Sequence, residues 1–154
     1  DPAIIPQQAT AALADAIDPL VADHRGQVAI YVRHLRHDVE YVHRPDEPMP
    51  TASLIKLPVM IAAYQQAAES GLDLGKMITF RETDKTPGSG ILSTHFSSGL
   101  QLSLRDAVRL MIAYSDNSAT NIVLREVGLN TVNQRLAGWD CPQTRIHAYV
   151  FTPE

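Results

Sequence analysis

Ser53 and Lys56 stand three residues apart where a polar, proline-rich stretch gives way to an apolar segment. That spacing puts both side chains on one face of a helix. A serine hydroxyl is a weak nucleophile until something removes its proton. A lysine whose pKa is lowered by desolvation or by nearby positive charge can do so. A helix N-terminus adds backbone N–H groups that favour a developing oxyanion. Farther along, Ser115-Asp116-Asn117 lies between two helical patterns. There Ser115 could relay a proton between Lys56 and a leaving group, and Asn117 could hold a substrate amide. The plain alternative is capping: Ser53 opens one helix with Lys56 in solvent, and Asp116 or Asn117 opens the next. With nine Ser and three Lys, one Ser-x-x-Lys arises by chance in roughly one such chain in six. With 11 Asp and four Asn, Ser-Asp-Asn arises in roughly one in sixty. The signal is the ordered pair, expected in roughly one chain in several hundred.

Several elements must position these groups. Gln7 to His24 carries Ala11, Leu13, Ala14, Ile17, Leu20 and Val21 at helical spacing, with Pro19 predicted to kink or separate the last turn. Gln27 to Leu35 reads as a strand with Val28, Ile30 and Val32 on one face; Arg36-His37-Asp38 reads as a turn into a second strand, Val39 to His43. The spacing predicts a helix from Ser53 to Ser70, with Leu54, Leu57, Ile61, Ala62 and Ala68 as its buried stripe and Gly71 as its stop. Asp73 to Gly99 reads as loop-rich. Ser103 is the expected N-cap of a helix to about Tyr114. Further helices are expected over Ser118 to Val127 and Thr131 to Ala137. Two strands followed by helices imply a mixed α/β (α+β) fold, an antiparallel sheet with a helical cluster, and the visible sheet is too small to stand alone.

At 154 residues, 45% hydrophobic and 19% charged, the chain can build a packed core. A net charge of −4 without basic clusters argues against nucleic acid as a partner. No apolar run approaches the roughly 18 residues of a membrane span. Cys141 is the only cysteine, so no intrachain disulfide can form. Asp1-Pro2 does not open like a signal peptide. His34 and His37, with Glu40, read as solvent-facing hairpin residues rather than metal ligands. His95 and Gly88-Ser89-Gly90 read as loop polarity and a structural turn. No cofactor is implied.

Pro50-Thr51-Ala52-Ser53-Leu54-Ile55-Lys56-Leu57-Pro58 resembles the nucleophile segment of class A β-lactamases and penicillin-recognising serine hydrolases. Gly88-Ser89-Gly90-Ile91-Leu92, Leu102-Ser103-Leu104-Arg105-Asp106 and Ser115-Asp116-Asn117-Ser118-Ala119-Thr120-Asn121 resemble later segments of the same family, in order. The resemblance covers about Val28 to Thr144. It implies a β-lactamase/transpeptidase-like fold, of which residues 1–154 form the N-terminal portion of a single domain. It also implies a small-molecule substrate, either a β-lactam or a peptidoglycan-like amide or ester, acylating Ser53. Lys56 and Ser115 would move the proton, Asn117 would bind the substrate amide, and the Ser53 N–H would form half the oxyanion hole. Alternatives within the resemblance are a penicillin-binding or sensor-like homologue that acylates without turnover, or a DD-peptidase-like enzyme. A secreted or periplasmic location is implied as well.

Two departures stand out. The family's Lys-Thr-Gly element is absent, so missing residues or a second chain are expected to supply the C-terminal half of the fold, and these 154 residues alone are expected to be inactive. The family's deacylating Glu has no counterpart in Thr144 to Phe151, and Glu154, the only carboxylate after Asp140, falls a few residues late.

Overall fold

Apolar residues in the first fifty positions follow helical spacing and then strand alternation, and the computed structural model shows the elements these patterns imply. It describes residues 6–151. Glu154 lies outside them. The chain divides between Pro50 and Thr51 into two compact units.

In the first unit, α1 (Pro6–Asp23) runs through Pro19 as one helix rather than ending in a separate turn. The hairpin is shorter than its sequence suggests: β1 is Ile30–His34 and β2 is Val39–His43, paired antiparallel with Val32 opposite Tyr41. Val28 therefore lies outside the strand. Val39 and Tyr41 form the buried face, and Tyr41 Oη donates to Asp18 Oδ1 at 2.6 Å, tying β2 to α1. Asp38 makes the turn in a left-handed conformation (φ 49°), which Asp tolerates better than most residues. His34 and His37 hold their rings 4.6 Å apart on this exposed turn.

The second unit is mostly helical. A 3-10 turn, Ala52–Ile55, leads into α2 (Lys56–Glu69). The expected stripe on this helix is only partly covered: Ala62 is buried as expected, but Ile61 and Ala68 are exposed. Val59, Ala62 and Ala63 are buried, whereas Leu54 is 78% exposed and Leu57 52%. A helix apolar on most of its circumference does not announce which side is covered. The stretch expected to be loop holds β3 (Met77–Thr79), a 3-10 turn at Glu82–Asp84 and the one-turn helix α3 (Leu92–His95). β3 pairs antiparallel with β4 (Gln101–Ser103), Ile78 opposite Leu102.

α4 (Leu104–Ala113) begins where expected, with Ser103 Oγ accepting the Asp106 N–H. α5 (Asn117–Val127) is capped by Asp116 and stopped by Gly128 at φ 88°. α6 (Leu129–Gly138) follows at once, starting two residues earlier than the sequence suggests. α5 is the central helix: Ala119, Ile122, Val123, Leu124 and Val127 pack with Val59 and Ala62 of α2, Val108 and Met111 of α4 and Val132 of α6 in one core. Burying each large aliphatic side chain here contributes roughly 1.5–3 kcal/mol. This packing holds the start of α2 against the start of α5.

Candidate active site

Ser53 sits in the first turn of the helical segment, before the first helical hydrogen bond closes from Leu54 N–H to Thr51 O at 3.0 Å. Its own N–H therefore precedes the hydrogen-bonded ladder, as the first N–H groups of a helix do. Ser53 is exposed, while Lys56, one turn on, is only 4% exposed. Lys56 Nζ is surrounded by acceptors from the other end of the core: Ser115 O at 2.5 Å, Ser115 Oγ at 3.0 Å and Asn117 Oδ1 at 2.8 Å. Ser115 Oγ in turn lies 2.7 Å from Ser53 Oγ, donating to it. The hydrogen-bonded path from Ser53 to Lys56 thus runs through Ser115. Ser53, Lys56, Ser115 and Asn117, all singled out by their spacing, are brought together.

Burial pushes the Lys56 ammonium below the ordinary lysine pKa of 10.5, and the negative charge of Asp116 partly opposes that shift. The neutral amine becomes accessible nearer neutral pH. When it forms, both hydroxyls can rotate so that Ser53 donates to Ser115 and Ser115 to Lys56, because hydroxyl hydrogens follow the network. Two flanking residues hold left-handed backbone, Ala52 just before Ser53 (φ 44°) and Ser115 itself (φ 52°). Such conformations in non-glycine residues each cost on the order of 1–3 kcal/mol and concentrate at functional sites.

Asp116, read from sequence as a helix cap, is also the hub of a second network. Its Oδ1 accepts the Ala119 N–H at 2.9 Å, capping α5. Its Oδ2 accepts the N–H groups of Ile91 and Leu92 at 2.7 and 2.8 Å, fixing the chain just after Gly88-Ser89-Gly90. Asn117 closes the same loop: its N–H donates to Ser89 O at 2.9 Å and its Nδ2 to Pro87 O at 2.8 Å. The second N–H of that amide has no hydrogen-bond partner among the described residues. Gly90 (φ +123°) has no room for a side chain, since a Cβ there would stand 2.4 Å from the Asp116 carboxylate. Both glycines were visible in the sequence, but the dependence of Gly90 on Asp116, and of Gly88 on Asn117 and Phe151, is a tertiary contact that no local pattern carries.

Asn121 lies one turn beyond Asn117 on α5. It grips the backbone of Val150 at both ends, Nδ2 to Val150 O at 3.1 Å and Val150 N–H to Oδ1 at 2.8 Å. Asn133 grips Ile146 in the same way, at 2.9 Å in both directions. These two clamps lay the segment 146–150 beside α5 and α6. His95 belongs elsewhere, its Nδ1 paired with Thr94 Oγ1 at 2.7 Å. Among the described residues no group of three or more His, Cys, Asp or Glu is placed to hold a metal ion, and no helix is long and apolar enough to cross a membrane.

The profile of the beta-lactamase enzyme family matches residues 12–153. The chain belongs to the beta-lactamase enzyme family. Among relatives, a beta-lactamase of Streptomyces cellulosae is 28% identical over 111 residues, 71% of this chain and 35% of its own length. A beta-lactamase of Sphaerobacter thermophilus has a crystal structure that superposes with a TM-score of 0.80 at 33% identity, covering 92% of this chain and 51% of that one. The protein PBP-A superposes at 0.81 with 26% identity, covering 90% of this chain and 52% of that one. The fold is thus the mixed α/β one of β-lactamases and transpeptidases. The chain spans about half the length of these solved beta-lactamase-like structures and about a third of the curated Streptomyces relative.

Proposed function

We propose that the protein is a serine hydrolase of the β-lactamase and penicillin-binding type, forming an acyl-enzyme on Ser53 with β-lactams or related amides and esters. The observation that carries this is the continuous path from Ser53 Oγ through Ser115 Oγ to the buried Lys56 Nζ, at 2.7 and 3.0 Å. In the proposed step Ser53 Oγ attacks the carbonyl carbon, its proton passes to Ser115, and the proton of Ser115 passes to neutral Lys56. The tetrahedral intermediate collapses with cleavage of the C–N or C–O bond. Lys56 then returns the proton through Ser115 to the departing nitrogen or oxygen. The spare N–H of Asn117 holds the substrate's amide carbonyl. Ser53 N–H supplies one oxyanion donor, and the part of the fold bearing Lys-Thr-Gly, outside this sequence or on a second chain, supplies the other. Such a catalyst acts outside the cytoplasm, where β-lactams and peptidoglycan are met.

A second observation favours slow release of the acyl group. Residues 144–151 carry no acid, and the residue clamped beside Asn117's helix is Val150. PBP-A, which superposes on this chain, has also been crystallised as a leucine-to-glutamate variant in an acyl-enzyme complex with penicillin G. We therefore place this protein nearer a penicillin-binding hydrolase of low turnover than an efficient β-lactamase. The test is a time course of intact mass in benzylpenicillin, with the Lys-Thr-Gly-bearing part of the fold present. A one-penicillin adduct that persists for many minutes supports the proposal. An adduct that disappears as fast as product accumulates overturns its slow-release half.

A further inference from the structure

Ser93, Thr94, Ser97 and Ser98 set four hydroxyls around an open cavity of about 410 Å³, apart from the serine site. Neither Ser53, Lys56, Ser115 nor Asn117 lines it. Its volume lies at the lower end of the roughly 300–1,000 Å³ typical of small-molecule sites. Two charged residues border it, Glu82 and Lys85, and they pair with each other at 3.0 Å. The cation is thus balanced by its neighbour, which disfavours a free anion as occupant. His95, also at the rim, has its Nδ1 engaged with Thr94 Oγ1. What remains is a neutral wall of groups that both donate and accept, with one aromatic ring, Phe96, 39% exposed among them.

Those features match one ligand chemistry. A saccharide carries many hydroxyls that donate and accept at once, no net charge, and a C–H face that lies against an aromatic ring. Phosphate would want an unpaired cation, and an apolar ligand would leave the hydroxyls of Ser93, Ser97 and Ser98 without partners, that of Thr94 being already engaged by His95. We propose that this groove binds a neutral saccharide, stacked on Phe96 and hydrogen-bonded by the hydroxyls of Ser93 to Ser98. The groove is built on α3, whose first N–H, that of Leu92, is held by Asp116. The same carboxylate thus anchors both the groove and the loop over Asn117.

Binding needs no chemistry and is tested on protein with Ser53→Ala, by following amide NMR shifts during titration. The probe is a β-1,4-linked trisaccharide of N-acetylglucosamine, and inorganic phosphate is titrated in parallel. The expected result is saturable shifts confined to Ser93–Ser98 with the sugar and none with phosphate. Phe96→Ala should weaken binding roughly tenfold, the upper end of what an aromatic contact contributes, while Phe96→Trp should retain it. Absence of saturable shifts with the sugar overturns the proposal. So do shifts caused by phosphate instead, or equal affinity in Phe96→Ala. Because acylation of Ser53 is measured separately with penicillin, failure of the sugar titration and failure of the acyl-serine chemistry are told apart.

Discussion

Replacing Asp116 with Asn should loosen the site and, at the same time, lower the pH at which it works. Asp116 is 1% exposed, and its carboxylate accepts three N–H groups, from Ala119 on one oxygen and from Ile91 and Leu92 on the other. An amide has one acceptor and one donor end. Its best placement turns the oxygen toward Ile91 and Leu92 and faces its NH2 to the Ala119 N–H. One charge-assisted hydrogen bond is lost, and the other two are left with a neutral acceptor. A hydrogen bond to a charged group contributes roughly 1.5–3 kcal/mol, and a buried donor left unsatisfied costs a similar amount. The expected loss is therefore about 2–3 kcal/mol, a fall of roughly 4–12 °C in Tm for a chain of this size. The second effect is electrostatic. Asp116 holds the Lys56 pKa up against burial, so removing the charge lets it fall further. The pH–rate profile of acylation should then shift to lower pH even though the protein is less stable. Thermal unfolding and acylation rates between pH 5 and about 10 read both effects. An unchanged Tm would refute the three-bond role of Asp116, and an unmoved or raised pH profile would refute its electrostatic link to Lys56.

Other expectations follow from the same geometry. Gly90→Ala forces a Cβ to 2.4 Å from the Asp116 carboxylate at φ +123°, whereas Gly71→Ala meets nothing within 4 Å at φ +79°; denaturant unfolding should show the first costing at least about 2 kcal/mol more than the second. Because burial lowers the Lys56 pKa below 10.5, the folded chain binds fewer protons than the unfolded one between the folded pKa and 10.5. This group's contribution to stability is thus full above 10.5 and lost as pH falls through the folded pKa. Lys56→Met should flatten that slope in urea unfolding measured across the alkaline range. Val150→Glu places a carboxylate at the position clamped by Asn121 and should shorten the lifetime of a penicillin adduct by on the order of a hundredfold, the lower range for an added general base; an unchanged lifetime by mass spectrometry would contradict it.

The groups of the site were legible because their signal is linear. Ser53 with Lys56, and Ser115 with Asn117, are short spacings, and Ser103 and Asp116 announce helix starts in the residues beside them. What could not be read is what depends on distant contacts. β3 and β4 have three residues each, and only Ile78 and Leu102 are buried at their centres, too short a run for alternation to register. The covered side of α2 is only partly legible, Ala62 being buried as its spacing predicts, because Leu57, Val59, Ile61 and Ala63 spread apolar residues around the helix and leave little polar face to orient it. The route from Ser53 to Lys56 through Ser115 joins residues 62 positions apart. The clamps from Asn121 and Asn133 onto residues 150 and 146 likewise have no local sign.

The most direct measurement is the rate at which benzylpenicillin adds to the protein, followed by intact mass for the unaltered chain, Ser53→Ala and Ser115→Ala, with the Lys-Thr-Gly-bearing part of the fold present. A Ser53 nucleophile activated through Ser115 predicts one adduct in the unaltered chain and none in Ser53→Ala. It also predicts formation slowed by on the order of 10²–10⁴-fold in Ser115→Ala, the usual contribution of general-base catalysis. An adduct that survives Ser53→Ala, or an unslowed rate in Ser115→Ala, would contradict it.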